Sequence, residues 1–227
     1  MKNPTLIFAG LGAATLALIA VASRRSPRGS GSEGSEESGE SKAGDDWSSG
    51  PAYLTLPEDT SQLNRLAVAF QQAGVTNFIP EEFLTLRKWG VVAEMPEEYE
   101  DNIVKMAVQA QALRDRVGLP IAVMNGYRSP EYNQAVQGAP NSAHLRGAAA
   151  DLELPSVHAT ADQDRELQVD AAKLWLTRTS DIAGLGVYTG GRVHLDVFHP
   201  GGLGRRSWGS GDVDGVINQA KAELGMS

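Results

Sequence analysis

Ser142-Ala143-His144-Leu145-Arg146-Gly147-Ala148-Ala149-Ala150-Asp151 sets an imidazole and a carboxylate seven positions apart, with a glycine between them and small residues leading into the acid. Side chains along a strand alternate between faces, so an odd spacing sends His144 and Asp151 to opposite sides of any unbroken strand. For both to reach one point the chain must break at Gly147, and glycine is the residue that a bulge or tight turn uses. The strand that follows then carries Ala149, Asp151 and Glu153 on one face and Ala148, Ala150, Leu152 and Leu154 on the other. Imidazole and carboxylate are ligands that zinc takes, three of them at a catalytic centre. A third lies in Arg192-Val193-His194-Leu195-Asp196-Val197, where Arg192, His194 and Asp196 share a polar face and Val193, Leu195 and Val197 an apolar one.

Upstream of this stretch, Pro120-Ile121-Ala122-Val123-Met124 is a short apolar run of the kind that makes a buried strand, and Asn125-Gly126 ends it. Ser129 can cap and Pro130 begin a short helix carrying Tyr132, Asn133 and Val136. Arg128 is thereby fixed at a strand-to-helix junction, where its guanidinium is a fork for a carboxylate or an oxyanion. Gly138-Ala139-Pro140-Asn141 is the loop that delivers the chain to Ser142.

Residues 51–118 read as helical. Asp59 or Thr60 caps a helix with Leu63, Leu66, Ala67 and Phe70 on one face, ended by Gly74. Pro80 opens a second helix over Glu81 to Leu86, closed by Gly90. Pro96 opens the longest, with acids in the first turn, Ile103, Ala107, Ala110 and Leu113 at helical spacing, Arg114 and Arg116 near the end and Gly118 beyond. Acids first and bases last suit the helix dipole. After Asp151, Thr160 caps a helix holding Leu167, Ala171, Leu174 and Trp175. Leu185 to Tyr188 forms a strand that pairs with the His194 strand through the Thr189-Gly190-Gly191 turn. Val213, Val216, Ile217, Ala220 and Leu224 mark a last amphipathic helix.

The 227-residue chain carries a net charge of -8, which argues against a nucleic-acid partner, since phosphate binding needs clustered Lys and Arg. It has no cysteine, so a disulfide framework and a thiolate zinc site are excluded. Only four histidines are present, at 144, 158, 194 and 199. His158 reads as a plain polar residue, and His199 as a minor candidate for lining the site. Residues 4–22 are uncharged and apolar or small over about the 20 residues that span a bilayer. A membrane anchor over 1–22 is therefore expected, with a secretory signal cleaved after Ala20-Val21-Ala22 as the rival. Residues 23–50, rich in Ser, Gly and Glu, read as a disordered acidic linker. The folded domain is expected over 51–227.

The pattern Ser142-x-His144-x-x-Gly147-x-Ala149-x-Asp151, with Gly126-Tyr127-Arg128-Ser129 and Asn133 before it and Val193-His194-x-Asp196 far after it, resembles the zinc D-Ala-D-Ala peptidase family, peptidase M15, which shares its fold with the hedgehog signalling domain. Asn77-Phe78-x-Pro80-x-Glu82-Phe83 and Gly118-x-Pro120-Ile121 add to the likeness, which covers roughly residues 76–208. The resemblance implies that His144, Asp151 and His194 hold Zn2+, that Arg128 binds a carbonyl or carboxylate oxygen of the substrate, and that Ser142 neighbours it. A zinc-activated water would then hydrolyse a peptide bond. The family's best understood members carry an acid a few residues before the last histidine. Tyr188 to Val193 has none here, so Asp196 is the nearest carboxylate, as general base or as hydrogen-bond partner of a ligand histidine. Arg205, Arg206 and Trp208 resemble the closure of the family's last strand, with a structural role.

The expected fold is α+β, a small antiparallel sheet carrying the zinc site and flanked by helices, behind an N-terminal transmembrane helix and a disordered linker. The expected function is a monomeric, membrane-anchored peptidoglycan peptidase cutting stem-peptide or crosslink amides next to D-amino acids. The alternatives are an L-Ala–D-Glu endolysin-type peptidase and a zinc-bearing, peptidoglycan-binding pseudoenzyme. Its placement facing the periplasm or cell wall conflicts with Arg24, Arg25 and Arg28, which by the positive-inside rule favour a cytoplasmic domain. A phage or virion membrane protein would resolve that conflict.

Overall fold

The computed structural model describes residues 54–198 and 205–226. The expected membrane segment, the linker and His199 lie outside the described residues, among which no helix is long and apolar enough to cross a membrane.

Helix α1 (Ser61–Gln72) buries Leu63, Leu66 and Phe70, while Ala67 is exposed, narrowing the expected face to three residues. Helix α2 (Pro80–Leu84) is shorter than its pattern suggests. Strands β1 (Thr85–Leu86) and β2 (Val91–Val92) form a small antiparallel hairpin where a helix through Leu86 was expected. Thr85 is extended, and its β-branched side chain suits that geometry. The carbonyl of Phe83 accepts a hydrogen bond from the Tyr127 amide at 2.7 Å, so α2 braces the turn that carries Arg128.

Helix α3 (Glu100–Val117) is the longest of the described elements, entered through a 3-10 turn at Glu97–Tyr99 and ended by Gly118 at φ 69°. Ile103, Met106, Ala107, Ala110, Leu113 and Val117 recur every three or four residues and are buried. Each buried Leu, Ile or Met there stabilises the fold by about 1.5–3 kcal/mol. A short helix α4 (Pro130–Ala135) is capped by Ser129, and α3 packs on α1, on α5 (Ala161–Thr177) and on β4 (Ala149–Glu153). Thr160 and Gln163 form a reciprocal capping box at the start of α5. α6 (Val213–Glu223) covers α5 through Val216 and Ala220.

The second sheet orders β3 (Ala122–Asn125), β4, β6 (Val193–Asp196), β5 (Gly184–Val187) and β7 (Arg206–Trp208) side by side. The first three pairings are antiparallel, but β7 runs parallel to β5, so the sheet is mixed, not wholly antiparallel as expected. A parallel neighbour needs a crossover connection, and β6 stands between β5 and β7 in chain order.

Glu82 on α2 is largely buried, and its Oε2 has no hydrogen-bond partner among the described residues. Burial raises its carboxyl to about 7, only partly offset by a backbone hydrogen bond from Ile79 and the charges of Arg114 and Arg87. A carboxyl held above its unfolded value near 4.5 contributes full stability below that pH and loses it as pH rises towards 7. Glu82→Gln is therefore expected to match the parent at pH 4 and to exceed it at pH 8 by on the order of 2 kcal/mol, read as a melting temperature raised by several degrees. Equal melting temperatures at both pH values would contradict this.

Candidate metal centre

The break required at Gly147 is present. Ala143–Arg146 forms a 3-10 turn, Gly147 follows at φ 61°, and β4 begins at Ala149. A Cβ on Gly147 would also lie 2.7 Å from Ile103 Cγ1 and 2.9 Å from Met95 Sδ, so α3 packs where only glycine fits. Ser142 caps the turn by accepting from the His144 amide at 3.4 Å, and the Arg128 amide donates to the His144 carbonyl at 3.0 Å. Asn133 donates to the Ala139 carbonyl at 3.1 Å and so braces the loop leading into Ser142.

β4 and β6 are in register with Asp151 opposite His194. The structure brings His144, Asp151 and His194 together, all buried, each offering one ligand atom within 4.8 Å of the others. His144 Nε2 lies 3.4 Å and His194 Nδ1 2.8 Å from Asp151 Oδ1. A tetrahedral ion with bonds of about 2.0–2.1 Å spaces its ligand atoms about 3.3 Å apart, so the donor set fits a zinc-sized cation with small adjustment. His144 Nδ1 is 2.6 Å from the Gly126 carbonyl, which can only accept. Its proton therefore sits on Nδ1, and Nε2 keeps the lone pair that a metal needs. Burial lowers the His144 pKa, keeping it neutral.

Asp151 turns its other oxygen outward. Oδ2 accepts from Asn125 Nδ2 at 3.1 Å and from Arg128 Nη2 at 3.0 Å. Burial opposes its charge, but the hydrogen bond and charge of the neighbouring His194 hold the carboxyl well below the usual range. Burial likewise opposes a charge on His194, yet Asp151 and Asp196 raise it to about 9.

A cavity of about 650 Å³ opens over the cluster, with Arg128, Ser142, Arg146, Tyr188, Phe198 and Trp208 in its walls. Arg146 stacks over Phe198 at 4.7 Å, and the Trp208 ring centroid is 5.1 Å from that of His194. Asp196 is 1% exposed and forms the inner end of the wall, with Arg206 Nη2 2.8 Å from each of its oxygens. Arg206 and Trp208 therefore face the site, a finding beyond the purely structural role expected for them. Glu153 pairs with Arg192 at 3.1 Å and His158 lies outside the cavity wall.

Asn125, Tyr188, Arg206 and Trp208 were not legible as site residues. Asn125 had one signal, its place at the end of a strand next to Gly126. The other three reach the cavity only through long-range pairing of β5, β6 and β7.

Among known proteins, no curated sequence matches the chain. A family described as Peptidase M15 does match, over residues 76–192. That span takes in Arg128, Ser142, His144 and Asp151 and stops just short of His194, which the sheet register then sets against Asp151. The match covers more than half of the 227 residues, and the His-Asp-His group that its His144 and Asp151 complete with His194 suits a metal-dependent hydrolase. The chain belongs to the peptidase M15 family of metallopeptidases.

Proposed function

We propose that the protein is a zinc-dependent peptidoglycan peptidase that hydrolyses stem-peptide or crosslink amides next to D-amino acids. The observation that carries this reading is the buried His144, Asp151 and His194 group on the floor of a cavity with an arginine directly beside it. In this reading the three side chains hold the zinc through His144 Nε2, Asp151 Oδ1 and His194 Nδ1. When bound, zinc supplies a Lewis acid for the scissile carbonyl and acidifies water.

The chain's own residues do the rest. Arg128 neutralises Asp151 Oδ2 through Nη2, while its Nε has no partner among the described residues. The remaining donors of the guanidinium are available to an oxyanion or a substrate carboxylate. Ser142 lies on the cavity wall near His144, where its hydroxyl can orient the peptide. Arg146 adds positive charge to the same wall, which suits peptides carrying free carboxylates. Apart from Asp151, Asp196 is the one carboxylate among the described residues of that wall. All these groups come from one chain, so a monomer suffices. The reading includes attachment to a membrane through residues 4–22 and a domain facing the periplasm or wall, where the substrate is.

Digestion of purified sacculi by the protein with zinc present, followed by chromatography of the fragments, tests the proposal. Loss of D,D crosslinks or release of terminal D-alanine is the expected result. Release of stem peptides with a new D-glutamate amine, leaving L-alanine on the glycan, would transfer the activity to the endolysin-type bond. No new amine, beside a working control enzyme, would reduce the protein to a binding module.

A further inference from the structure

Asp196 is within reach of two roles, proton acceptor or partner of His194, and the geometry separates them. Both of its oxygens are occupied. Oδ1 accepts from the Phe198 amide at 3.2 Å and from Arg206 Nη2 at 2.8 Å. Oδ2 accepts from Arg206 at 2.8 Å and lies 3.5 Å from His194 Nε2, the ring nitrogen turned away from Asp151. A carboxylate so committed, and 1% exposed, meets the cavity already bound to Arg206.

The fold is built around this contact. Register places Gly184 opposite both Asp196 on β6 and Arg206 on β7, so the three meet across adjacent strands. A Cβ at Gly184 would stand 2.0 Å from Asp196 Oδ2 and 2.9 Å from the Trp208 ring. The missing side chain is what lets the carboxylate lie behind His194. Trp208 packs on the imidazole and is itself held by a 3.0 Å hydrogen bond from its Nε1 to the Tyr188 hydroxyl.

We infer that Asp196 and Arg206 form a positioning pair that holds His194 with Nδ1 towards the metal, and that Asp196 is not the proton acceptor of the reaction. The inference rests on the zinc-centre reading above. A ligand imidazole oriented by a carboxylate on its other nitrogen binds metal more tightly, and losing such a partner costs about 10–100-fold in affinity.

The test uses the full chain and its Asp196→Asn, Arg206→Met and Arg206→Lys variants, with zinc affinity measured by chelator competition and turnover measured at saturating zinc. Asp196→Asn and Arg206→Met are expected to lose about 10–100-fold in zinc affinity while recovering most turnover once saturated. Arg206→Lys, which keeps the charge, is expected to lose less. Unchanged zinc affinity with turnover abolished at saturation would assign Asp196 as the base and overturn the inference. Arg206 is half-buried, so its variants carry the test if Asp196→Asn does not fold. A parent protein that binds no zinc would overturn the zinc-centre reading itself, an outcome separate from a zinc-binding parent with an indifferent variant.

Discussion

Asp151→Asn is expected to abolish zinc retention and to lower hydrolysis by about 10³-fold or more, since a Lewis acid contributes several kcal/mol to the barrier. The amide has the shape of the carboxylate but lacks its charge. It presents one acceptor oxygen where Asp151 now serves Asn125 and Arg128 with Oδ2 and His194 with Oδ1. The same change strands Arg128, whose side chain is 15% exposed, without its partner. Removing one member of a buried ion pair costs about 3–5 kcal/mol, so a lowered melting temperature should accompany the lost metal. Circular dichroism below that temperature separates the two effects. A folded variant that keeps both zinc and activity would contradict the assignment.

Arg128→Met is expected to lower kcat by about 10²–10³-fold, the usual cost of removing a charged donor aimed at a developing oxyanion. Zinc should still be retained at saturating metal, because His144, Asp151 and His194 remain. Arg128→Lys is expected to recover little. An ammonium is a point charge that cannot serve Asp151 with one nitrogen and a substrate oxygen with another. A rise in KM with kcat unchanged would instead make Arg128 a ground-state binding group.

The features legible in the sequence share a physical character: their causes are local. The odd spacing of His144 and Asp151 demanded a break, and Gly147 at φ 61° is that break. The α3 helix announced itself through first-turn acids, a spaced apolar face and a terminal glycine. The hairpin after Leu84 was hidden because four helix-compatible residues precede a β-branched one, and pairing with Val91 and Val92 decided the matter. The parallel return of β7 was hidden for the same reason at longer range. No local pattern states that Arg206 will lie beside Gly184, or that Trp208 will pack on His194. Asp196 was visible as a carboxylate on the right face, while its commitment to Arg206 emerged only from the sheet order.

Residues that chelate a metal can be read from spacing, because ligand types are few and their geometry is strict. Residues that read a substrate cannot, because any polar group on a cavity wall will serve. Arg146 illustrates the second case, a basic residue inside the motif whose stacking on Phe198 turns it to the cavity wall.

The central claim is that a metal held by His144, Asp151 and His194 drives peptide hydrolysis. Its most direct test is the hydrolysis rate of crosslinked peptidoglycan peptides before chelation, after chelation and after zinc is returned. The account predicts turnover that vanishes with the chelator and returns with zinc in the parent but not in Asp151→Asn. Turnover that survives chelation with no metal bound would contradict it.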